Sequence, residues 1–148
     1  MSASTVAQVT PDRIMQFAWG YAPPLILESA IRNGIFDALD SGPKNLDELH
    51  AATGTSVRGL AAIANTLVGL NFLAKDDTGR FSLMPESAAF LVQSKPSFMG
   101  GMILHTSEQL IPKWLSLNEI VKTGKPLTAV NQEEAGGAFF EQLVLDIF

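Results

Sequence analysis

Two histidines are the first residues to test for chemistry, because imidazole is the usual general base and metal ligand near neutral pH. His50 and His105 lie far apart in a chain of 148 residues, and neither sits in HExxH or a comparable ligand spacing. No metal site is expected. His50 reads as a solvent-facing helix residue, whereas His105 falls with Met102, Leu104 and Trp114 in a segment rich in pocket-forming side chains. The glycine pairs Gly100-Gly101 and Gly136-Gly137 do not follow a strand in a GxGxxG arrangement, so they offer no cradle of backbone amides for a nucleotide. Glu133-Glu134 is an adjacent carboxylate pair of the kind common on solvated loops rather than a separated acid and base. GxSxG and similar nucleophile motifs are missing. The expectation is no catalytic, cofactor-binding or metal residue within the chain.

The elements that would position any site follow from periodicity. Between Asn45 and Met84 the order is helix, tight turn, helix and two-stranded ribbon, which is that of a winged helix. Asn45 or Asp47 caps a brief helix through Leu46, Leu49 and Ala52, and Gly54 stops it. Ser56 starts the next helix, in which Val57, Leu60, Ala61, Ala64, Leu67 and Val68 recur at steps of three and four. Residues 72–75 and 80–84 then flank the turn Asp76-Asp77-Thr78-Gly79 as a hairpin wing. A winged helix that reads DNA brings positive charge, and this one does not. The helix from Ser56 offers only Arg58 for a bidentate guanine contact beside Ser56 and Asn65, and Asp76 and Asp77 at the wing tip oppose phosphates.

Before the winged helix, Thr10, Pro11 and Asp12 are read as N-cap, first helical residue and first turn of a short helix, with Ile14, Phe17, Ala18 and Tyr21 on one stripe and Trp19 off it. Pro23 and Pro24 break and restart the run, and a helix continues through Leu27, Ala30, Ile31, Ile35, Phe36 and Leu39 with Gly34 kinking or dividing it. Beyond the wing, Pro85 opens a helix through Phe90 and Leu91, and residues 94–97 form a loop. One helical stretch then holds Phe98, Met102 and His105, and Leu110, Trp114, Leu117 and Val121 mark another, ended by Gly124 and Pro126. Residues 131–137 read as a loop, and a last helix carries Phe139, Phe140, Leu143, Val144, Ile147 and Phe148. The apolar final residue suggests the front part of a longer protein. Hydrophobic residues make up 47% and charged residues only 17%, so some apolar surface is expected to be covered by a second subunit or a further domain. A net charge of -5 and a pI near 4.9 argue against nucleic acid or anionic lipid as partner. The absence of cysteine, of a secretory opening and of an apolar run near the roughly 18 residues of a membrane span fits a soluble cytoplasmic protein.

Three stretches in this order, PPLILESAIRNGIFDALD, NLDELHAATGTSVRGLAAIANTLVGLNFLAKDDTGRFSLMPES and WLSLNEIVKTGKPL, resemble the N-terminal dimerisation domain of the S-adenosylmethionine (SAM)-dependent O-methyltransferases of plant phenolics and bacterial secondary metabolites. The resemblance implies a mostly α-helical fold, a winged-helix dimerisation domain with additional flanking helices, divided as a disordered 1–10, the winged-helix unit 11–95 and a helical extension 96–148. It also implies a homodimer built through the helical N-terminal region, and a following catalytic domain that binds SAM and transfers its methyl group to a hydroxyl of a small aromatic or secondary-metabolite acceptor. The pocket wall is what the chain itself would provide: Leu25, which follows Pro24 and stands where plant relatives typically carry methionine, then Leu104 and His105 ahead of Trp114, and more loosely Phe98, Met102, Phe17 and Trp19. The rival readings are a DNA-binding winged-helix regulator and a free-standing interaction module.

Overall fold

A computed structural model describes residues 9–126 together with Gly137, Phe140, Glu141 and Val144. The winged helix is present as read. Helix α4 (Leu46–Thr53) is opened by a capping box, in which the Asn45 side chain accepts from the Glu48 backbone N–H at 2.9 Å and the Glu48 carboxylate accepts from the Asn45 N–H at 2.8 Å. Gly54 closes it at φ 70°, a left-handed conformation that costs glycine nothing. Helix α5 (Val57–Gly69) begins with the Ser56 hydroxyl accepting from the Gly59 N–H at 3.2 Å. Strands β1 (Leu73–Lys75) and β2 (Phe81–Leu83) pair antiparallel with Lys75 opposite Phe81. A third backbone segment, invisible as a strand in the sequence, joins them: Lys44 and Phe81 exchange both N–H···O=C bonds, at 3.0 and 2.8 Å.

Helix α1 spans Asp12–Ala18 and α2 Ala22–Arg32; Gly34 at φ 64° then divides α2 from α3 (Ile35–Asp40). Two details depart from the sequence reading. Thr10 does not cap α1, because its hydroxyl donates to the Asp12 carboxylate at 2.8 Å, and Pro11 stands just before the helix instead of inside it. The break expected at Pro23 and Pro24 falls slightly earlier, at residues 19–21, and the two prolines restart the helix from the first turn of α2, where a missing N–H leaves no intrahelical bond unmade.

After α6 (Pro85–Phe90) the readings diverge further. Phe98 lies before α7 (Gly100–His105), not within it. The expected helix through Leu110 and Val121 is not one piece: α7 runs on through a π-helical turn (Thr106–Leu110) into α8 (Ile111–Trp114), and α9 (Leu117–Thr123) follows a break at residues 115–116. Pro112 explains the π turn, since its ring and missing N–H cannot sit in an ordinary α register. Gly137, read as loop, is helical, as are Phe140, Glu141 and Val144; the rest of the last predicted helix, residues 131–136 and residues 1–8 lie outside the described residues.

The core gathers Ala30 and Ile31 of α2, Ile35, Phe36 and Leu39 of α3, Leu49, Leu60, Ala64 and Leu67 of the helix-turn-helix, Leu73 and Phe81 of the wing, and Leu91 and Val92 after α6. Each full burial of such a side chain contributes about 1.5–3 kcal/mol. Ser87 is buried with them, its hydroxyl donating to the Phe72 carbonyl at 2.6 Å. The segment after α6 is tied over α3 by the Gln93 N–H on the Asp37 carboxylate at 2.8 Å and by Lys95 on Asp40 at 2.9 Å. Helices α1, α8 and α9 bury no residue.

Candidate functional site

Two hollows flank α2, and the helix itself sets them apart. Leu25 and Leu27 are two residues, about 200°, apart on an α-helix, so they point to nearly opposite sides. On the Leu25 side a cleft of about 480 Å³ runs between α2 and α5, with Leu25, Ile26 and Ser29 on one wall and Gly59, Ala62 and Thr66 on the other. One end of it is closed by Asn33, whose amide donates to the Ser29 carbonyl at 2.7 Å while its oxygen accepts from the Thr55 hydroxyl at 3.1 Å. On the Leu27 side a hollow of about 320 Å³ is walled by Phe72, Phe90, Met99, Met102 and Ile103, with Glu86 as its one carboxylate.

The residues expected to form a pocket wall do not converge in this single chain. Leu25, 37% exposed, opens into the first hollow and Met102, 43% exposed, into the second. Leu104 and Phe98 are partly buried against the core, and His105 is buried at the end of α7, just ahead of the π turn. Phe17, Trp19 and Trp114 stand in solvent, at 74%, 61% and 65% exposure. Sequence reading missed Ser29, Asn33 and Thr55, which give the first hollow its polar end, because their grouping depends on tertiary packing. It also missed Arg32, whose guanidinium donates to Glu28 and to Glu108, clasping α2 to the π turn. Those two carboxylates raise the Arg32 pKa further, the Glu28 hydrogen bond contributing most. Glu28 and Arg32 are legible as an i, i+4 pair; Glu108, 76 residues on, is not.

A Cβ at Gly100 would overlap the Phe98 ring, so that glycine exists to let an aromatic side chain close over the start of α7. No group of three His, Asp or Glu residues among the described residues is placed to hold a metal. The wing likewise spends its cations internally. Arg80 donates to the Pro43 carbonyl at 2.8 Å and pairs with Glu48 at 2.8 Å. Lys75 donates to Asn65 at 3.0 Å and stands 4.8 Å from the Phe81 ring centroid. Asp76 folds inward, its carboxylate accepting from the Thr78 N–H and hydroxyl and from the Arg80 N–H at 2.7–2.9 Å, and these bonds hold it below its ordinary pKa.

Comparison with known proteins adds three findings. A family model described as the O-methyltransferase dimerisation domain matches residues 15–93. Among curated relatives, a 3-hydroxy-5-methyl-1-naphthoate 3-O-methyltransferase of Streptomyces sahachiroi is 28% identical over 120 residues, covering 81% of this chain and 34% of its own. An acetylserotonin O-methyltransferase of Gallus gallus is 30% identical over 120 residues, covering 78% and 35%. Human N-acetylserotonin methyltransferase, solved in complex with SAM, superposes with a TM-score of 0.73 at 21% identity over 84% of this chain and 37% of that one, a likeness of fold. The chain thus spans about a third of the length of the curated relatives it matches.

Proposed function

The chain belongs to the O-methyltransferase dimerisation-domain family, and from that premise we propose that it is the dimerisation and pocket-wall part of a SAM-dependent O-methyltransferase. The protein that contains it transfers a methyl group from SAM to a hydroxyl of a small aromatic or secondary-metabolite acceptor in the cytoplasm. The base and the cofactor site belong to residues outside the chain, and the chain contributes the homodimer and apolar walls. The observation that carries the reading is the family match over residues 15–93, which takes in α2, the winged helix and both walls of the 480 Å³ cleft. Leu25, Leu104, His105 and Met102 are the wall residues, with Phe98, Trp114, Phe17 and Trp19 at its margin. The chain's boundaries follow the same plan, with the winged-helix unit at 11–95 and the extension from 96 leading toward the catalytic part.

The test is methyl transfer by the longest natural protein that carries this chain, with labelled SAM and a panel of phenolic acceptors. Acceptor-dependent incorporation is expected. Leu25→Trp and Met102→Ala should change KM for the acceptor severalfold and leave KM for SAM in place. Incorporation into no acceptor, together with salt-sensitive duplex DNA binding lost in Arg58→Ala, would establish the regulator instead.

A further inference from the structure

We infer that Arg32 is a positioning residue: by holding Glu108 it fixes the register of the π turn after α7, and so the direction in which Trp114 faces relative to Leu104 and His105. The inference rests on the pocket-wall reading, which counts all three side chains. Up to the end of α7 the core does the holding, since Ile103 and Leu104 pack against it and His105 is buried. Beyond that point the anchor stops, because no residue of the π turn, α8 or α9 is buried. Helix α2 packs along both α7 and the π turn, and Arg32 is its last residue.

The turn is where a rotation would enter. Its closing bond runs from the Ile111 N–H to the Thr106 carbonyl, five residues back instead of four. Pro112 has no N–H to give the carbonyl four residues before it, which is that of Glu108, so the helical ladder is out of step where Glu108 stands. One residue more or fewer in a turn swings everything that follows by about 100° around the helix axis. Leu104 and His105 precede that point and Trp114 follows it. Arg32 reaches it from outside: its Nε donates to Glu28, one turn back on its own helix, and its Nη2 donates to Glu108. A guanidinium presents these donors in one rigid plane, so the bond to Glu28 orients the group that meets Glu108; a lysine ammonium would give up that direction. At 43% and 52% side-chain exposure the Arg32–Glu108 pair adds little to folding stability, and what it supplies is orientation.

The test compares the longest natural protein that carries this chain with its Arg32→Met and Glu108→Ala variants and with the charge-swapped double variant, Arg32→Glu plus Glu108→Arg. Each single change should raise KM for phenolic acceptors severalfold and leave KM for SAM and the thermal midpoint nearly in place. Hydrogen exchange of amides 107–111 should speed up severalfold in both, while the α5 amides keep their rates. The charge-swapped protein should recover most of the acceptor KM and of the slow exchange. Two results overturn the positioning role: an acceptor KM that neither single change moves, or a loss of kcat and thermal midpoint with both KM values unmoved, which is what a merely structural contact gives. If the wild-type protein transfers no methyl group, the pocket-wall reading fails, and hydrogen exchange then decides the clasp by itself: faster exchange at 107–111 keeps it, and unchanged exchange removes it.

Discussion

At the scale of single residues, the capping box and the wing turn are where charge does most for the fold. Asn45→Ala removes the acceptor for the Glu48 N–H, and the loss should be about 1 kcal/mol, seen as a lower urea midpoint with an unchanged slope. Glu48 and Asp76 are both held below their ordinary values of 4.5 and 3.8, in each case chiefly by a backbone N–H, that of Asn45 for Glu48 and that of Arg80 for Asp76. A depressed carboxyl binds its proton more readily in the unfolded chain, so its contribution is complete above the ordinary value and is lost as pH falls through the folded one. Thermal midpoints recorded from pH 6 downward should therefore hold until about 4.5 and then fall. Glu48→Gln and Asp76→Asn should each start from a lower midpoint and show a shallower acid limb; an acid limb identical to wild type in both would remove these groups from the account. Gly100→Ala tests a different kind of residue effect. Displacing the Phe98 ring should cost about 1 kcal/mol, although alanine is the better helix former.

At the scale of elements, the winged helix was legible because its signals are local: a capping residue, a left-handed glycine at position 54, a three-and-four repeat from Leu60 to Leu67, and a turn with Asp76 and Gly79 at its ends. Gly54→Val keeps every core contact but forces a β-branched side chain to φ 70°, and should destabilise by more than 1 kcal/mol in the same urea titration. What escaped the sequence depends on distant partners. The Lys44 strand exists only because Phe81 has a free edge, and Ser87 is buried only because the Phe72 carbonyl receives its hydroxyl. The extension was misread for a related reason: apolar spacing from Leu110 to Val121 suggests one helix, but Pro112 displaces the hydrogen-bond register into a π turn and the helix breaks at 115–116. The candidate site was the least legible part. Leu25 and Met102 sit on pocket walls, yet of two different hollows, while the polar residues that shape the larger cleft lie 22 positions apart in the Asn33–Thr55 pair.

At the scale of the whole molecule, the low charged fraction and the uncovered helices describe the same surface. Trp19 at the end of α1, Trp114 of α8, Leu115 just after it and Val121 of α9 stand 61%, 65%, 82% and 74% exposed. Scattered apolar side chains are ordinary on a protein surface, but rows on helices that bury nothing are what an association face leaves behind when the partner is removed. Association stabilises only the folded form, so the thermal midpoint of the wild-type chain should rise with protein concentration. Phe17→Asp places a carboxylate in the middle of the α1 row without touching the core, where Phe17 makes no buried contact. The variant should keep its helical spectrum, lose the concentration dependence and unfold at the midpoint of dilute wild type. A wild-type midpoint that is constant over a hundredfold dilution would mean that the apolar rows face a domain of the same chain rather than a second subunit, and the low charge of the sequence would then be explained by that domain.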